Sequence, residues 1–329
     1  MIFSDVFVSG AEYPFFRIPG IITTSKGTLI AATECRMTLS DWDTRAIAVK
    51  RSEDGGRTWG DIIVIDSTNE DIPVGNPTLI ADGGRVWIVW VTDYVNMFVS
   101  YSDDDGRTFS PKEPTDALES LRKYVDFRVA APGPGHGVSL PDGRLIVPFW
   151  LAFGGGEYGK PRSHRPSVVS FVYKDDTGWH AADGVIGNIK NLSETSAVWN
   201  DGRLMFDLRN EDPNKRRAVA WYENGRLKNA ELDPDFPDPI CFGSVVITGS
   251  GIIGVNCSNE NARRTLALTR IKPDGFAESG HQIIWDKAGY ADITPSADGG
   301  VHVFFEHDDD GDGHVVLSVI TLSKDEIVI

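Results

Sequence analysis

Residues 27–36 read Gly-Thr-Leu-Ile-Ala-Ala-Thr-Glu-Cys-Arg: a glycine turn that runs straight into a short apolar strand. The run just before it, RIPGIIT (17–23), reads as a strand of its own. The same unit returns at Gly84 (GRVWIVWV), Gly143 (GRLIVPFW), Gly202 (GRLMFDLR), Gly251 (GIIGVNC) and Gly300 (GVHVFFEH). The turn glycines are spaced by 57, 59, 59, 49 and 49 residues. Each follows another short strand: NPTLIA, HGVSLP, TSAVWN, GSVVIT and DITPSA after the first. Glycine turns between β-rich runs specify hairpins. Helical periodicity is nearly absent, and only DALESLRK (116–123) predicts a helical turn or two. Repeats of this length, each holding several short strands, predict an all-β six-bladed β-propeller with four-stranded antiparallel blades. A β-sandwich would leave six similar units unexplained. A ring must also join its ends to avoid an open edge. Residues 2–8 are therefore expected to add a strand to the blade ending near 319–329, which predicts residues 1–329 as a single domain.

Bulk composition narrows the function. Lys and Arg total 32 against 48 Asp and Glu, a formal net charge of -16. That disfavours nucleic acid or an anionic membrane as partner, though a local arginine cluster can still bind a small anion. Three cysteines, Cys35, Cys241 and Cys257, have neither the pairing nor the spacing of a disulfide framework or zinc site. The first residues, MIFSDVFVSGAEY, lack a basic region followed by an apolar run. The expectation is a cytoplasmic protein, or a secreted one whose export signal has been removed. Oligomeric state is not legible.

Ser52 to Trp59, SEDGGRTW, fits Ser-x-Asp-x-Gly-x-Thr-Trp at every position, and residues 102–109, SDDDGRTF, fit with Phe for Trp. YKDDTGW (173–179) is a degenerate third copy. In such a turn the Asp carboxylate accepts backbone N–H groups, glycine permits positive φ, and the aromatic packs between strands. Asp54 and Asp104 are therefore expected to be structural and to lie away from any catalytic face.

The first strand of each repeat should line the central axis. Similar offsets from the turn glycines deliver Arg17, Asn76, His136, Glu194, Phe242 and Tyr290, while second strands end at Arg36, Arg209 and Glu306. Arg and Glu are rarely buried unpaired, so this set points to an anion site rather than an ordinary core. Arg36 follows Arg17 by nineteen residues and Asp41 follows Arg36 by five.

The Phe16-Arg17-Ile18-Pro19 motif, the Asp boxes and these axial residues together resemble the sialidase (neuraminidase) superfamily over essentially the whole chain. The resemblance implies a retaining exo-α-sialidase that needs no cofactor and no metal. Its substrate would be a terminal sialic acid of a glycoconjugate or a related nonulosonic acid glycoside, deaminated or diamino. By resemblance Arg17, Arg209 and Arg263 grip the substrate carboxylate, with Arg264 the rival of Arg263, and Glu306 props Arg17. Guanidinium suits this because it is always charged and can bind a carboxylate bidentately. Tyr290 would be the nucleophile, Glu194 its base and Asp41 the acid, with Asp43 as rival on the expectation of a strand that faces both the same way. A neutral tyrosine avoids the repulsion a carboxylate nucleophile would meet at an anomeric centre bearing a carboxylate. The alternative is a catalytically silent glycan-binding propeller, which would need the arginines but not the tyrosine, base and acid.

The match departs at Arg36. Its family counterpart lies near the sugar 4-position with an aspartate of an Asp-Pro pair, and here that pair is Asn76-Pro77. The expectation is that the amide takes over the carboxylate's hydrogen bond, or else that sugar recognition is relaxed. Trp90, Tyr94, Met97 and Trp150 are candidates for the pocket wall, and His136 is as readily an interior histidine as a ligand contact. DDDGDG (308–313) opens like a calcium loop, but the twelfth position is Val319 rather than a glutamate, so a solvated turn is expected.

Overall fold

The computed structural model describes residues 1–10, 12–68, 72–154, 163–308 and 315–329. The calcium-like run falls almost wholly outside the described residues. Six sheets follow one another around a ring, giving the six-bladed propeller. Blade 1 comprises Phe15–Thr23, Leu29–Arg36, Thr44–Ser52 and Ile63–Ser67, from the axis outward. Blades 2, 4 and 5 begin at the axis with Val74–Asp82, Leu192–Asn200 and Ser244–Thr248. Blade 6 runs from Ala291–Pro295 through Val301–His307 to Val316–Leu322, and its outermost strand is the N-terminal Ile2–Phe7. Ile2 pairs with Thr321 and Ser4 with Val319, so the expected closure forms.

Burial explains the sequence pattern. The second strand of blade 1, Leu29–Arg36, is buried at every residue because neighbouring strands and blades cover both faces. Outer strands such as Ile63–Ser67 alternate instead. Four of the turn glycines, Gly27, Gly143, Gly202 and Gly251, adopt positive φ; in the other two turns Gly83 and Gly299 do so in place of Gly84 and Gly300. Residues Ala117–Lys123 form the one short helix of the expected stretch, as 3-10 turns.

Both Asp boxes close their hairpins as anticipated. Asp54 accepts the Thr58 hydroxyl at 2.6 Å and the N–H groups of Arg57 and Thr58 at 3.0 and 2.9 Å. Asp104 accepts the Thr108 hydroxyl and N–H at 2.7 and 2.8 Å. Trp59 Nε1 donates to Ser4 Oγ at 3.1 Å, fastening blade 1 to the closing strand. Ser52 pairs with Leu29, at the end of the blade opposite Arg17 and Arg36, so the boxes lie away from the axial arginines.

Blade 3 departs from the repeat. Its inner strand is broken: Val129–Pro132 pairs with the second strand, Gly135–His136 crosses to run parallel with blade 2, and Val138–Ser139 returns. Close packing at the axis makes this possible. A Cβ on Gly133 would meet the Thr195 carbonyl oxygen at 2.8 Å, and one on Gly135 the Asp292 carboxylate at 2.9 Å. Fully buried Asp292 gathers Ile21 N–H, His136 Nδ1 and Ser244 Oγ at 2.8, 2.7 and 2.7 Å, tying the axis together. His136 is thus an interior residue and not part of the cavity described next.

Candidate active site

Bulges aim the inner strands at one end of the axis. Pairing shifts between Arg17 and Gly20, between Gly75 and Thr78, and between Leu192 and Thr195. Ile18 and Asn76 adopt φ of 66° and 56° there. Positive φ on a β-branched residue costs about 1–3 kcal/mol, and bulges of this kind re-aim side chains. The turned residues line a cavity of about 530 Å³, a size suited to a small ligand.

On its floor the Tyr290 hydroxyl donates to Glu194 Oε1 at 2.8 Å, and Arg209 Nη1 reaches both Glu194 and, at 2.6 Å, the Tyr290 oxygen. Three guanidinium carbons surround the Tyr290 ring: Arg263 at 5.1 Å from its centroid, Arg17 at 5.5 Å and Arg209 at 5.6 Å. Glu306 accepts Arg17 Nε at 2.7 Å together with the N–H groups of Ile18 and Tyr290 at 3.0 and 3.2 Å. The expected prop beneath Arg17 is therefore present. Arg263 lies in the turn just before its strand rather than within it, held to the Ile240 carbonyl at 3.3 Å. Its rival Arg264 faces Asp286 at 3.5 Å and does not line this cavity.

Asp41 stands at the rim in a 3-10 turn, Asp41–Asp43, rather than on a strand. The turn separates the two candidates. Asp41 accepts Arg36 Nη1 at 2.8 Å and lines the cavity, while Asp43 pairs with Arg45 at 2.9 Å outside it. Arg36 and Asn76 line the cavity too, but the expected amide contact is absent. Asn76 Nδ2 donates to the Pro132 carbonyl at 3.3 Å. The carboxylate that holds Arg36 is Glu34, whose Oε2 accepts Nε and Nη2 at 2.7 and 2.5 Å. Among the proposed wall residues Tyr94 and Trp150 line the cavity, whereas Trp90 and Met97 are core residues. Phe242 packs its ring 5.8 Å from that of Tyr290.

Sequence reasoning missed Glu34, Trp42, His164, Arg165 and Glu211. A lone carboxylate inside the apolar run LIAATEC was a usable signal for Glu34, and Glu211 shares strand parity with Arg209. His164 and Arg165 open the third strand of blade 3, Ser163–Asp175, outside the first and second strands that the repeat offsets reach. His164 sits against Trp42, Tyr94 and Trp150 at ring distances of 5.6, 5.9 and 5.2 Å.

Charge and burial set the titration. Burial pushes the Tyr290 phenol well above its ordinary value against the pull of Arg209, and raises Glu194 despite the same arginine. Burial also raises Asp41, but Arg36, then His164 and Arg17, outweigh it and hold the carboxyl below its usual range. Among the described residues no group of three or more His, Cys, Asp or Glu is disposed to hold a metal ion.

Residues 27–303 match the family model of the BNR repeat-like domain. The chain belongs to this family and, through it, to the sialidase superfamily. The sialidase of Bacteroides fragilis (strain YCH46) is 24% identical over 330 residues, covering 85% of this chain and 57% of that protein. The sialidase of Micromonospora viridifaciens is 27% identical over 276 residues, covering 74% and 40%. The chain thus spans about half the length of the curated relatives it matches. Among solved structures, the intramolecular trans-sialidase from Ruminococcus gnavus in complex with oseltamivir carboxylate superposes with a TM-score of 0.74 at 16% identity, covering 99% of this chain and 98% of that one. Trypanosoma rangeli sialidase in complex with 2,3-difluorosialic acid, a covalent intermediate, gives 0.73 at 18% identity, covering 96% and 56%. These two likenesses are of fold.

Proposed function

We propose that the chain is a retaining exo-α-sialidase-type glycoside hydrolase that releases a terminal nonulosonic acid. The observation that carries this reading is the Tyr290–Glu194 hydrogen bond inside a ring of three guanidinium groups. A binding module needs the arginines to hold a carboxylate; it has no use for a phenol bonded to a buried carboxylate at their centre.

Arg17, Arg209 and Arg263 hold the substrate carboxylate, which sets the anomeric carbon beside the Tyr290 oxygen. The phenol oxygen attacks that carbon as Glu194 takes its proton. The raised value of Glu194 suits a base that must accept a proton from a weak acid. The glycosidic C–O bond breaks and Asp41 gives its proton to the departing oxygen. In the second half Asp41 takes a proton from water, the water oxygen attacks the anomeric carbon, and the Tyr290 oxygen leaves and recovers its proton from Glu194. Two displacements retain the configuration.

The test is hydrolysis of a fluorogenic aryl α-sialoside by wild type and Tyr290→Phe, with mass spectrometry after exposure to 2,3-difluorosialic acid. Turnover that collapses in Tyr290→Phe, with label on Tyr290, supports the reading. Turnover that survives in Tyr290→Phe would sink it. Labelling by the deaminated difluoro analogue in place of the N-acylated one would move the substrate to a deaminated nonulosonic acid.

A further inference from the structure

The buried carboxylate of Glu34 has no assigned task. It lies two residues from Arg36 on the same face of a strand, and its side chain is fully buried. Four donors converge on it. Oε2 takes Arg36 Nε and Nη2 at 2.7 and 2.5 Å and the Thr44 hydroxyl at 3.1 Å; Oε1 takes the Asn76 N–H at 2.7 Å. Blade 2 is shaped for that last bond. Its bulge and the positive φ of Asn76 turn the N–H inward, and Gly75 leaves room, since a Cβ there would meet Glu34 Oε1 at 2.8 Å. The substitution at Asn76-Pro77 is thus answered from blade 1: the backbone of Asn76, not its side chain, serves the arginine, through Glu34.

Arg36 in turn donates Nη1 to Asp41, with its remaining reach spent on the Leu39 carbonyl at 3.2 Å. An acid that must be protonated for half of each cycle faces a difficulty beside a guanidinium, because the cation favours its ionised form. We propose that Glu34 is a positioning residue for the acid: it aims Arg36 at Asp41 and offsets part of the guanidinium charge, so that Arg36 holds Asp41 in place while favouring its carboxylate less than an uncompensated cation would. The inference rests on the assignment of Asp41 as acid. The charged and titratable groups facing this unit are Arg36, Arg17 and Asp41 of blade 1, Tyr94 of blade 2, His164 of blade 3 and Glu194 of blade 4. All but Glu34 line the cavity; Glu34 is the fully buried carboxyl among them, raised by burial against the pull of Arg36, whose guanidinium two of its bonds hold.

The experiment compares pH profiles of kcat/KM for wild type and Glu34→Gln on two substrates. A sialyl-lactose needs protonation of its leaving oxygen; an aryl sialoside with an acidic phenol needs little. Removing the buried negative charge leaves Asp41 facing an unopposed cation. The alkaline limb for sialyl-lactose should then move down by about one pH unit, and the rate at neutral pH should fall about tenfold. The aryl substrate should lose less than about threefold. Equal losses on both substrates with an unmoved limb would mean a merely structural residue and would overturn the proposal. If Glu34→Gln does not fold, Glu34→Asp carries the test. Its shorter carboxylate keeps the charge but cannot bridge Arg36 and Asn76 together, so the limb should stay while kcat on sialyl-lactose falls; wild-type kcat would overturn the proposal. A folded wild type that hydrolyses neither substrate refutes the sialidase reading itself, and this inference with it, whereas aryl turnover with an unmoved limb refutes the inference alone.

Discussion

Glu306→Gln is the substitution whose outcome the geometry sets most tightly. Glu306 is buried, and all three of its partners are donors: Arg17 Nε and Ile18 N–H on Oε1, Tyr290 N–H on Oε2. Glutamine keeps the volume. With its oxygen placed toward Arg17, its NH2 group faces the Tyr290 N–H, donor against donor. Losing a charge-assisted bond costs about 1.5–3 kcal/mol and an opposed buried donor about 1–3 kcal/mol. Arg17 keeps 15% of its side chain exposed, so cavity water recovers part of this. The expected net loss is about 3 kcal/mol, or about 6 °C in Tm at about 2 °C per kcal/mol for a large domain. On the proposed role of Arg17, the guanidinium also loses its aim at the substrate carboxylate. Binding shared by ground and transition states then weakens, so KM should rise about tenfold with a smaller change in kcat. The pH dependence has a definite sign. Burial raises Glu306, but Arg17 outweighs it and the folded value is depressed. Its stabilisation is therefore present above the unfolded value of about 4.3 and lost as pH falls through the folded one. Thermal unfolding by calorimetry at several pH values, with aryl sialoside kinetics, reads all three effects. The Tm values of the two proteins should begin to converge as pH falls below about 4.3 and meet once it has fallen through the folded value. A variant within about 1 °C of wild type at pH 7, with unchanged KM, would refute the prop and the reasoning built on it.

Other outcomes follow from the same contacts. Tyr290→Phe should lower kcat on the aryl sialoside about a thousandfold or more while leaving the fold intact by circular dichroism. Asp41→Ala should lose far more on sialyl-lactose than on the aryl substrate; equal losses would remove Asp41 as the acid. Asp54 is held at about 2 by the Thr58 hydroxyl and N–H bonds, so its contribution is present above the usual carboxylate range and fades as pH falls toward 2. Because that turn is solvent-exposed, Asp54→Ala should cost only about 1 kcal/mol in chemical denaturation and leave kcat/KM unchanged. Burial works against protonated His136, but Asp292 outweighs it and the folded value is raised. Its stabilisation should be full below about pH 6.5 and disappear as pH rises through the folded value; Tm measured from pH 6 to 9 should show that limb in wild type and not in His136→Gln.

Much of the site was legible because it is repetitive in origin. Arg17, Glu194 and Tyr290 precede their turn glycines by 10, 8 and 10 residues, and Arg36, Arg209 and Glu306 are the last or next-to-last residues of their second strands. The parts that could not be read belong to breaks in that regularity. Asp41 and Asp43 look equivalent on a strand, and a 3-10 turn makes them different. Arg263 and Arg264 are adjacent in a turn, where side-chain direction depends on backbone dihedrals. His164 and Arg165 open the third strand of blade 3, Ser163–Asp175, and the offsets from the turn glycines reach only the first and second strands.

By itself the sequence determined the six-unit architecture, the closing strand, the structural role of the Asp boxes and the identity of the axial charges. These follow from local rules, namely turn chemistry, strand periodicity and the cost of burying charge, which act over a few residues. Only the tertiary structure decided which partner each charge takes. Arg36 meets Glu34 rather than Asn76, and Asp292 gathers three elements at the axis, because such pairings depend on bulges and on how neighbouring blades approach. Those distances are set by packing between segments as far apart in sequence as Arg17 and Glu306, 289 residues, and no local pattern encodes them.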